Sequence, residues 1–209
     1  MRHAFRAFPL VIVMSLSSAC SILPKTEPAD VYRLPSQLAS AKPAPANAVH
    51  WSLRLNKPKA SETLDSPKIA VVPQGDLLSS YKGARWSDSA PALLRNRMLD
   101  AFQRDGRVQL LSTDDSNLQA DYELGGELQA FQSEYTAQGV VVVVCLDARL
   151  VHGNTQRILA SRRFEVRQPV TATDVPTVVA GFGQASDKLL AQVLDWTVSQ
   201  AQLQARLQP

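Results

Sequence analysis

Thiols and imidazoles carry much of the chemistry that a sequence can reveal, and this chain of 209 residues has few of either. It contains two cysteines, Cys20 and Cys145, and three histidines, His3, His50 and His152. A structural zinc site needs about four such ligands in paired spacing, and these residues show no pairing. Two distant cysteines are also too few for a disulfide framework. The sequence therefore predicts neither a soft-metal site nor a bound cofactor.

Cys20 is the thiol whose surroundings indicate a reaction. A positively charged start and an apolar run over residues 8–16 precede it. As a helix that run would reach only about 14 Å, half of a hydrocarbon core of about 30 Å, which is typical of a signal peptide. The small residues before Cys20 resemble a bacterial lipobox, in which the thiol is diacylated and the preceding bond is cut, although Leu16 lies four positions before the cysteine rather than three. The alternative is ordinary secretion with cleavage after Ala19.

An acylated cysteine would anchor the protein. Several acyl chains, at about 0.8 kcal/mol per buried methylene, hold a soluble domain stably on a membrane. Ser21 follows the cysteine, which in lipoproteins of Gram-negative bacteria implies the outer membrane. We predict a signal peptide over residues 1–19, the lipidated Cys20 with a Pro-rich tether over residues 20–47, and a folded domain over residues 48–209. Loss of the signal lowers the formal charge from +3 to +1, which gives no basis for binding nucleic acid.

The other reactive residues receive structural interpretations. Cys145 lies in an apolar strand without a neighbouring cation, so we expect an inert buried thiol. His50 and His152 sit at strand ends without a triad arrangement. The segment 181–183, Gly-Phe-Gly, lacks the third glycine of a dinucleotide site and predicts close packing of a helix on another backbone. The chain has no nucleophile elbow, P-loop or metalloprotease motif, so we predict that it is not an enzyme.

The segment 78–86 is more informative, because it places Tyr81, Lys82, Arg85 and Trp86 in a predicted loop before a helix. Amphipathic aromatic residues and arginine are enriched at protein interfaces. These four residues are therefore candidates for binding a partner. The alternative is that Tyr81 and Trp86 cover the end of the core, and for Trp86 we favour that structural role.

Periodicity predicts the elements that must position these residues. Alternating apolar residues indicate strands, and three long ones with short links form an antiparallel meander. The middle strand of the meander begins apolar on both faces, so we expect both faces to be covered there. Two helices are predicted, each with a cap and an early proline. The predicted strands lie near 31–34 (an edge strand), 50–55, 68–73, 108–111, 122–130, 140–150 and 157–167, and the helices near 90–105 and 173–206. This grouping predicts an α+β single domain, a largely antiparallel sheet with two amphipathic helices packed on it.

Several short motifs, in this order and spacing, resemble the ABC-type transport auxiliary lipoprotein family, which includes the PqiC-like intermembrane transport lipoproteins. Beside the lipobox and tether, they are Pro67–Pro73, Tyr81–Trp86, Leu93-Leu94, Ala120–Leu124, Phe131, Ser161–Phe164 and Trp196. The resemblance implies a non-enzymatic periplasmic component of a lipid or solvent transport system. Its partners would be an MCE-domain protein that bridges the periplasm and an inner-membrane ABC permease and ATPase. Any ATP hydrolysis would belong to that ATPase, because no P-loop occurs here.

Three functions follow as hypotheses. The first is a docking factor anchored in the outer membrane that engages its partner through protein surface, with a homo-oligomeric ring as one arrangement. The second is a periplasmic carrier that binds lipid in an apolar cavity between the sheet and the helices. The third is a cell-envelope hydrolase, which would require a nucleophile within hydrogen-bonding reach of His50 or His152.

Overall fold

The architecture is α+β, as predicted. A computed structural model describes residues 28–36, 48–116 and 118–207. The elements in chain order are β1 Asp30–Tyr32, β2 Val49–Leu55, β3 Lys68–Gln74, β4 Leu77–Trp86, α1 Ala90–Asp105, β5 Val108–Thr113, a short 3-10 turn Asp114–Ser116, β6 Tyr122–Thr136, β7 Gly139–His152, β8 Ile158–Val170 and α2 Val175–Leu207. Eight strands form one sheet, and both helices pack into a single core. Within the described part of the chain, neither α1 nor α2 contains an apolar stretch that could span a bilayer.

The sheet forks at β6. One edge of β6 pairs with β7 along nearly its whole length. On its other edge, the start of β6 pairs with β2 and its end pairs with β3. Strand β5 lies beyond β2, whereas β4 and then β1 lie beyond β3. The long β6–β7–β8 pairings and the β3–β4 pairing are antiparallel, while the four short pairings that remain are parallel. We call the β3–β4–β1 branch the outer wing.

The predicted meander is confirmed as β6, β7 and β8, and the start of β7 is buried on both faces. Val142 and Val144 face the helices, while Val143 on the opposite face is only 3% exposed. That second face is covered by side chains from the flanking strands. Arg167 on β8 reaches Glu134 on β6 with an N–O distance of 2.6 Å, so this ion pair passes over β7. The aliphatic stems of such residues shield apolar surface while their charged ends stay in water.

Helix α1 has the predicted limits. Ser89 occupies the N-cap position and Gly106 ends the helix with a φ of 77°, a conformation that favours glycine. The Ser89 side chain makes no bond to its own helix. It hydrogen-bonds to Asp65 instead, which lowers the pKa of that carboxyl group. The predicted apolar stripe is buried, with Leu94 and Phe102 in the core.

Helix α2 crosses the meander and is capped by Asp174, whose Oδ1 accepts the Thr177 amide at 3.0 Å. Hydrogen bonds from the Thr177 amide and side chain lower the pKa of Asp174. Close packing was predicted around residues 181–183 and is confirmed. A Cβ atom on Gly183 would lie 2.7 Å from the carbonyl oxygen of Pro35, so only glycine fits against that backbone without a shift.

One prediction for this part of the chain is wrong, one is confirmed, and several fall outside the described residues. The segment 78–86 is not a loop, since it forms β4. The predicted edge strand near 31–34 is confirmed as β1, and Tyr32 and Leu34 pack against the core, so the folded body takes in residues before position 48. The signal peptide over residues 1–19, the lipidation of Cys20 and most of the tether over residues 20–47 lie outside the described residues.

Candidate partner-binding surface

The segment that looked like a loop is a bulged strand. Lys68 of β3 pairs with Arg85, but Ala70, two residues on, pairs with Ser80, five residues back. The extra residues of β4 bulge out of the sheet between these pairs. Gly83 lies in the bulge with a φ of 67°, and nothing lies within 4 Å of where its Cβ would be. Glycine supplies this left-handed conformation at little steric cost, and bulges often redirect side chains near functional sites.

The two aromatic candidates on β4 point into the molecule. Trp86 is fully buried and packs edge-on against Phe131 and Phe182, at ring-centroid distances of 5.9 and 5.2 Å. Tyr81 is half-buried, and its hydroxyl lies 3.0 Å from the Ser133 hydroxyl. Burial raises the pKa of Tyr81 to about 12. The structure thus places Trp86 in the core, the role favoured for it from the sequence, and Tyr81 at the edge of the core.

The two cationic candidates, Lys82 and Arg85, are exposed, and further cations join them. Arg85 lies between Lys68 on β3 and Val31 on β1 in the strand register. Directly paired residues share a face of the sheet, and like charges in that position are destabilising. Arg33, one residue beyond β1, is also exposed. We call Arg33, Lys68, Lys82 and Arg85 the basic patch.

The charges of the basic patch are not neutralised within the fold. Among the residues that the structure describes, none of the four has a carboxylate within 4.0 Å. The outer face of the meander is different, because its arginines have acidic partners there. Arg163 binds Asp147 at 2.6 Å, and Arg149 binds Glu127. An excess of unpaired positive charge on the outer wing can attract an anionic partner.

The remaining reactive residues are arranged as structural groups. Cys145 is buried, and burial raises the pKa of its thiol. The Ser52 hydroxyl donates to Asp121 Oδ2 at 2.7 Å. His152 Nδ1 faces the Thr155 amide at 3.4 Å. The first of these contacts joins β2 to the residue before β6, and the second lies within the link from β7 to β8. In the described part of the chain no three His, Cys, Asp or Glu residues converge on a possible metal position.

Sequence reasoning found half of the basic patch. Lys82 and Arg85 were recognised because they lie beside aromatic residues, whereas Arg33 and Lys68 were missed. They come from distant segments that only strand pairing brings together. A usable signal was that Lys68 directly precedes the apolar Ile69, since neighbouring residues of a strand point to opposite faces and Ile69 is buried.

The bulged strand β4 therefore presents its cations outward and its aromatic residues inward. Residues 32–194 match the family described as the ABC-type transport auxiliary lipoprotein component, and the match begins inside β1. The chain belongs to this family, which confirms the resemblance drawn from its motifs.

Individual relatives agree with this assignment. Protein XCC0632 of Xanthomonas campestris has a crystal structure that superposes with a TM-score of 0.77, at 31% identity over 85% of this chain and 99% of that one. A second solved structure, at 15% identity and a TM-score of 0.61 over 80% of this chain and 97% of that one, shares the fold. The Bradyrhizobium diazoefficiens protein bll6063 is 29% identical over 167 residues, which are 79% of this chain but 43% of that protein.

Proposed function

We propose that the protein is a non-enzymatic lipoprotein of the outer membrane that faces the periplasm and docks the periplasmic part of an ABC/MCE-type intermembrane lipid transport system. Family membership supports the role of transport auxiliary component. The basic patch is the observation that points to docking. Its like charges lie side by side at a cost to folding, which an anionic surface on a partner would offset.

The docking site consists of Lys82 and Arg85 from the bulged strand, together with Lys68 and Arg33. Tyr81 and Trp86 hold that strand in place from inside. The partner surface is an acidic segment of an MCE-domain periplasmic protein, which in turn connects to the inner-membrane permease and ATPase. Electrostatic contacts of this kind mainly accelerate association and weaken as salt rises.

Packing of the core favours docking over carriage of a lipid inside the domain. Phe131 and Phe182 stack at 4.8 Å, and Trp86 closes over both rings. The three rings occupy the space between the sheet and α2. A lipid chain could enter there only by displacing them.

A pull-down with an MCE-domain protein from the same genome tests the docking role. The test variant is Arg85→Glu, which can pair with Lys68 and should leave the fold intact. Its matched control is Arg157→Glu, an exposed arginine in the link between β7 and β8. We expect Arg85→Glu to reduce capture and the control to retain it. Equal capture of both variants, or no capture of the wild-type lipoprotein, would refute the proposal.

The anchor has its own test. Cys20→Ala should leave thermal unfolding unchanged but move the protein from the membrane fraction to the soluble fraction. Membrane fractionation like that of the wild type would rule out lipidation at this residue. The ring arrangement is tested by light scattering of the fragment that starts near residue 21, because a ring has several times the mass of one chain.

A further inference from the structure

One end of the sheet carries apolar side chains that the fold leaves uncovered. The β3–β4 turn, the β6–β7 turn and the link from β8 to α2 all lie at this end, because β3 is parallel to β6 and β8 ends opposite the start of β7. Leu77 is 61% exposed, Tyr135 41% and Leu78 39%. We call these three residues the apolar tip. Two open clefts of about 470 and 460 Å³ meet at Tyr135 and Thr136.

The path of the chain into β1 relates this tip to the anchor. Strand β1 is parallel to β4 and starts level with Ala84, and β4 itself starts at the tip with Leu77. The chain therefore reaches Asp30 from the side of the apolar tip. Because β4 bulges, the distance from Leu77 to Ala84 is taken from its partner β3, where Gln74 pairs with Leu77 and Lys68 with Arg85. The corresponding five residues, from Ile69 to Gln74, span about 17 Å.

The length of chain between Cys20 and Asp30 limits how far the tip can be from the membrane. Those ten residues span at most about 35 Å when fully extended. A chain that continues past the tip can therefore place Cys20 no more than about 18 Å beyond it. Cys20 reaches the opposite end of the sheet less easily, because the chain between Cys20 and Asp30 would first have to reverse its direction.

We propose that the apolar tip rests on the bilayer that holds the lipidated Cys20, with Leu77, Leu78 and Tyr135 at the level of the lipid headgroups. This inference depends on the proposed lipid anchor. Leucine and tyrosine suit such a boundary, since tyrosine has a polar end that stays hydrated. The charged groups near this end are the acids Asp76 and Glu134, which line the first cleft, and Asp174 before α2. The contact is therefore apolar and needs no anionic lipid.

The test uses the full-length lipidated protein in vesicles of zwitterionic phosphatidylcholine. Leu77→Cys carries an environment-sensitive fluorophore, and Ile158→Cys is the matched control. Both residues are 61% exposed, but Ile158 starts β8 at the opposite end of the sheet. Cys145 is buried, so it does not compete for the label, and acylation consumes the thiol of Cys20. Quenching by lipids with a spin label on the acyl chain reports direct contact with the bilayer.

We expect a blue shift and strong quenching for the probe at position 77, and neither for the probe at position 158. Equal signals at both positions would overturn the inference. A blue shift at position 77 without quenching by lipid would also overturn it, because a second copy of the protein would then cover the tip. Mass spectrometry of the same sample shows whether Cys20 carries lipid, and so separates the proposed anchor from the proposed contact of the tip with the bilayer. A chain without lipid on Cys20 refutes the anchor and the inference together, whereas a lipidated chain with two hydrated probes refutes the inference alone.

Discussion

Replacement of Trp86 by alanine tests whether this residue supports the fold or the binding surface. Trp86 is fully buried and contacts two further rings. Truncation of a buried aromatic residue to alanine costs about 3–5 kcal/mol, which here includes two edge-on ring contacts. A domain of this size has a total stability of about 5–15 kcal/mol. We therefore expect Trp86→Ala to remove about 4 kcal/mol from the free energy of unfolding, a large part of the total.

Trp86→Phe provides a graded comparison. The indole Nε1 of Trp86 is buried without a hydrogen-bond partner. A buried unsatisfied donor costs about 1–3 kcal/mol, and phenylalanine has no such donor. Removing this cost offsets much of the stability that is lost with the smaller contact area of phenylalanine. We expect the net loss of unfolding free energy for Trp86→Phe to be about 1 kcal/mol or less.

Urea denaturation followed by far-ultraviolet circular dichroism measures both variants without relying on tryptophan fluorescence. Leu78→Ala, at an exposed position, is the control and should change stability by less than about 0.5 kcal/mol. A Trp86→Ala variant as stable as the wild type would refute the buried role. Loss of partner capture in Trp86→Phe, with stability retained, would instead show that the indole binds the partner directly.

Three further predictions concern the packing of β1, a pH-dependent contact and the free thiol. Gly183→Ala forces a Cβ to 2.7 Å from the Pro35 carbonyl oxygen, so β1 should loosen. Hydrogen exchange should then rise at the Ser87 amide, which donates to the Tyr32 carbonyl at 2.8 Å, and unchanged exchange would contradict the close approach. The hydrogen bonds from Ser52 lower the pKa of Asp121 below its ordinary 3.8. The ionised carboxylate therefore stabilises the fold fully above pH 3.8. This stabilisation is lost as the pH falls through the lowered pKa. Asp121→Asn should cost about 1 kcal/mol at pH 7 and flatten the loss of melting temperature below about pH 4; a curve parallel to that of the wild type would exclude this role. Cys145 should react with a thiol reagent only after unfolding, because burial covers it and raises its pKa, and rapid labelling of the native protein would disprove its burial.

Elements with a long regular period were predictable from the sequence. One face of β7 is apolar from Val140 to Leu150, and the strand pairs on both sides along nearly its whole length, with one register shift in each pairing. The meander could therefore be derived from this period and the short links alone. The limits of α1 were equally clear, because Ser89, Pro91 and Gly106 each have a known position at a helix end.

Elements that depend on distant pairing were not predictable. Strand β4 reads as a loop because Gly83 and polar neighbours interrupt its alternation, and its place in the sheet comes from β3 and β1 on either side. The basic patch depends on the same pairings. The sequence predicted that the outer face of β7 is covered, but not which side chains cover it. The ion pair of Arg167 and Glu134 joins residues 33 positions apart, a distance over which the sequence pattern gives no signal.

The way in which β1 joins the sheet also bears on how the protein would respond to force. Strand β1 runs away from the apolar tip, parallel to β4, so a pull from a membrane at that tip would act along the strand axis rather than across it. Under that load the pairs from Asp30 to Tyr32 must slide together, and cannot open one after another. Beyond them, Pro35 lies against Gly183 of α2 and resists the same movement. In the proposed arrangement the protein is attached to a membrane at one side and to a transport complex at the other, so tension between the two would load its first strand in shear.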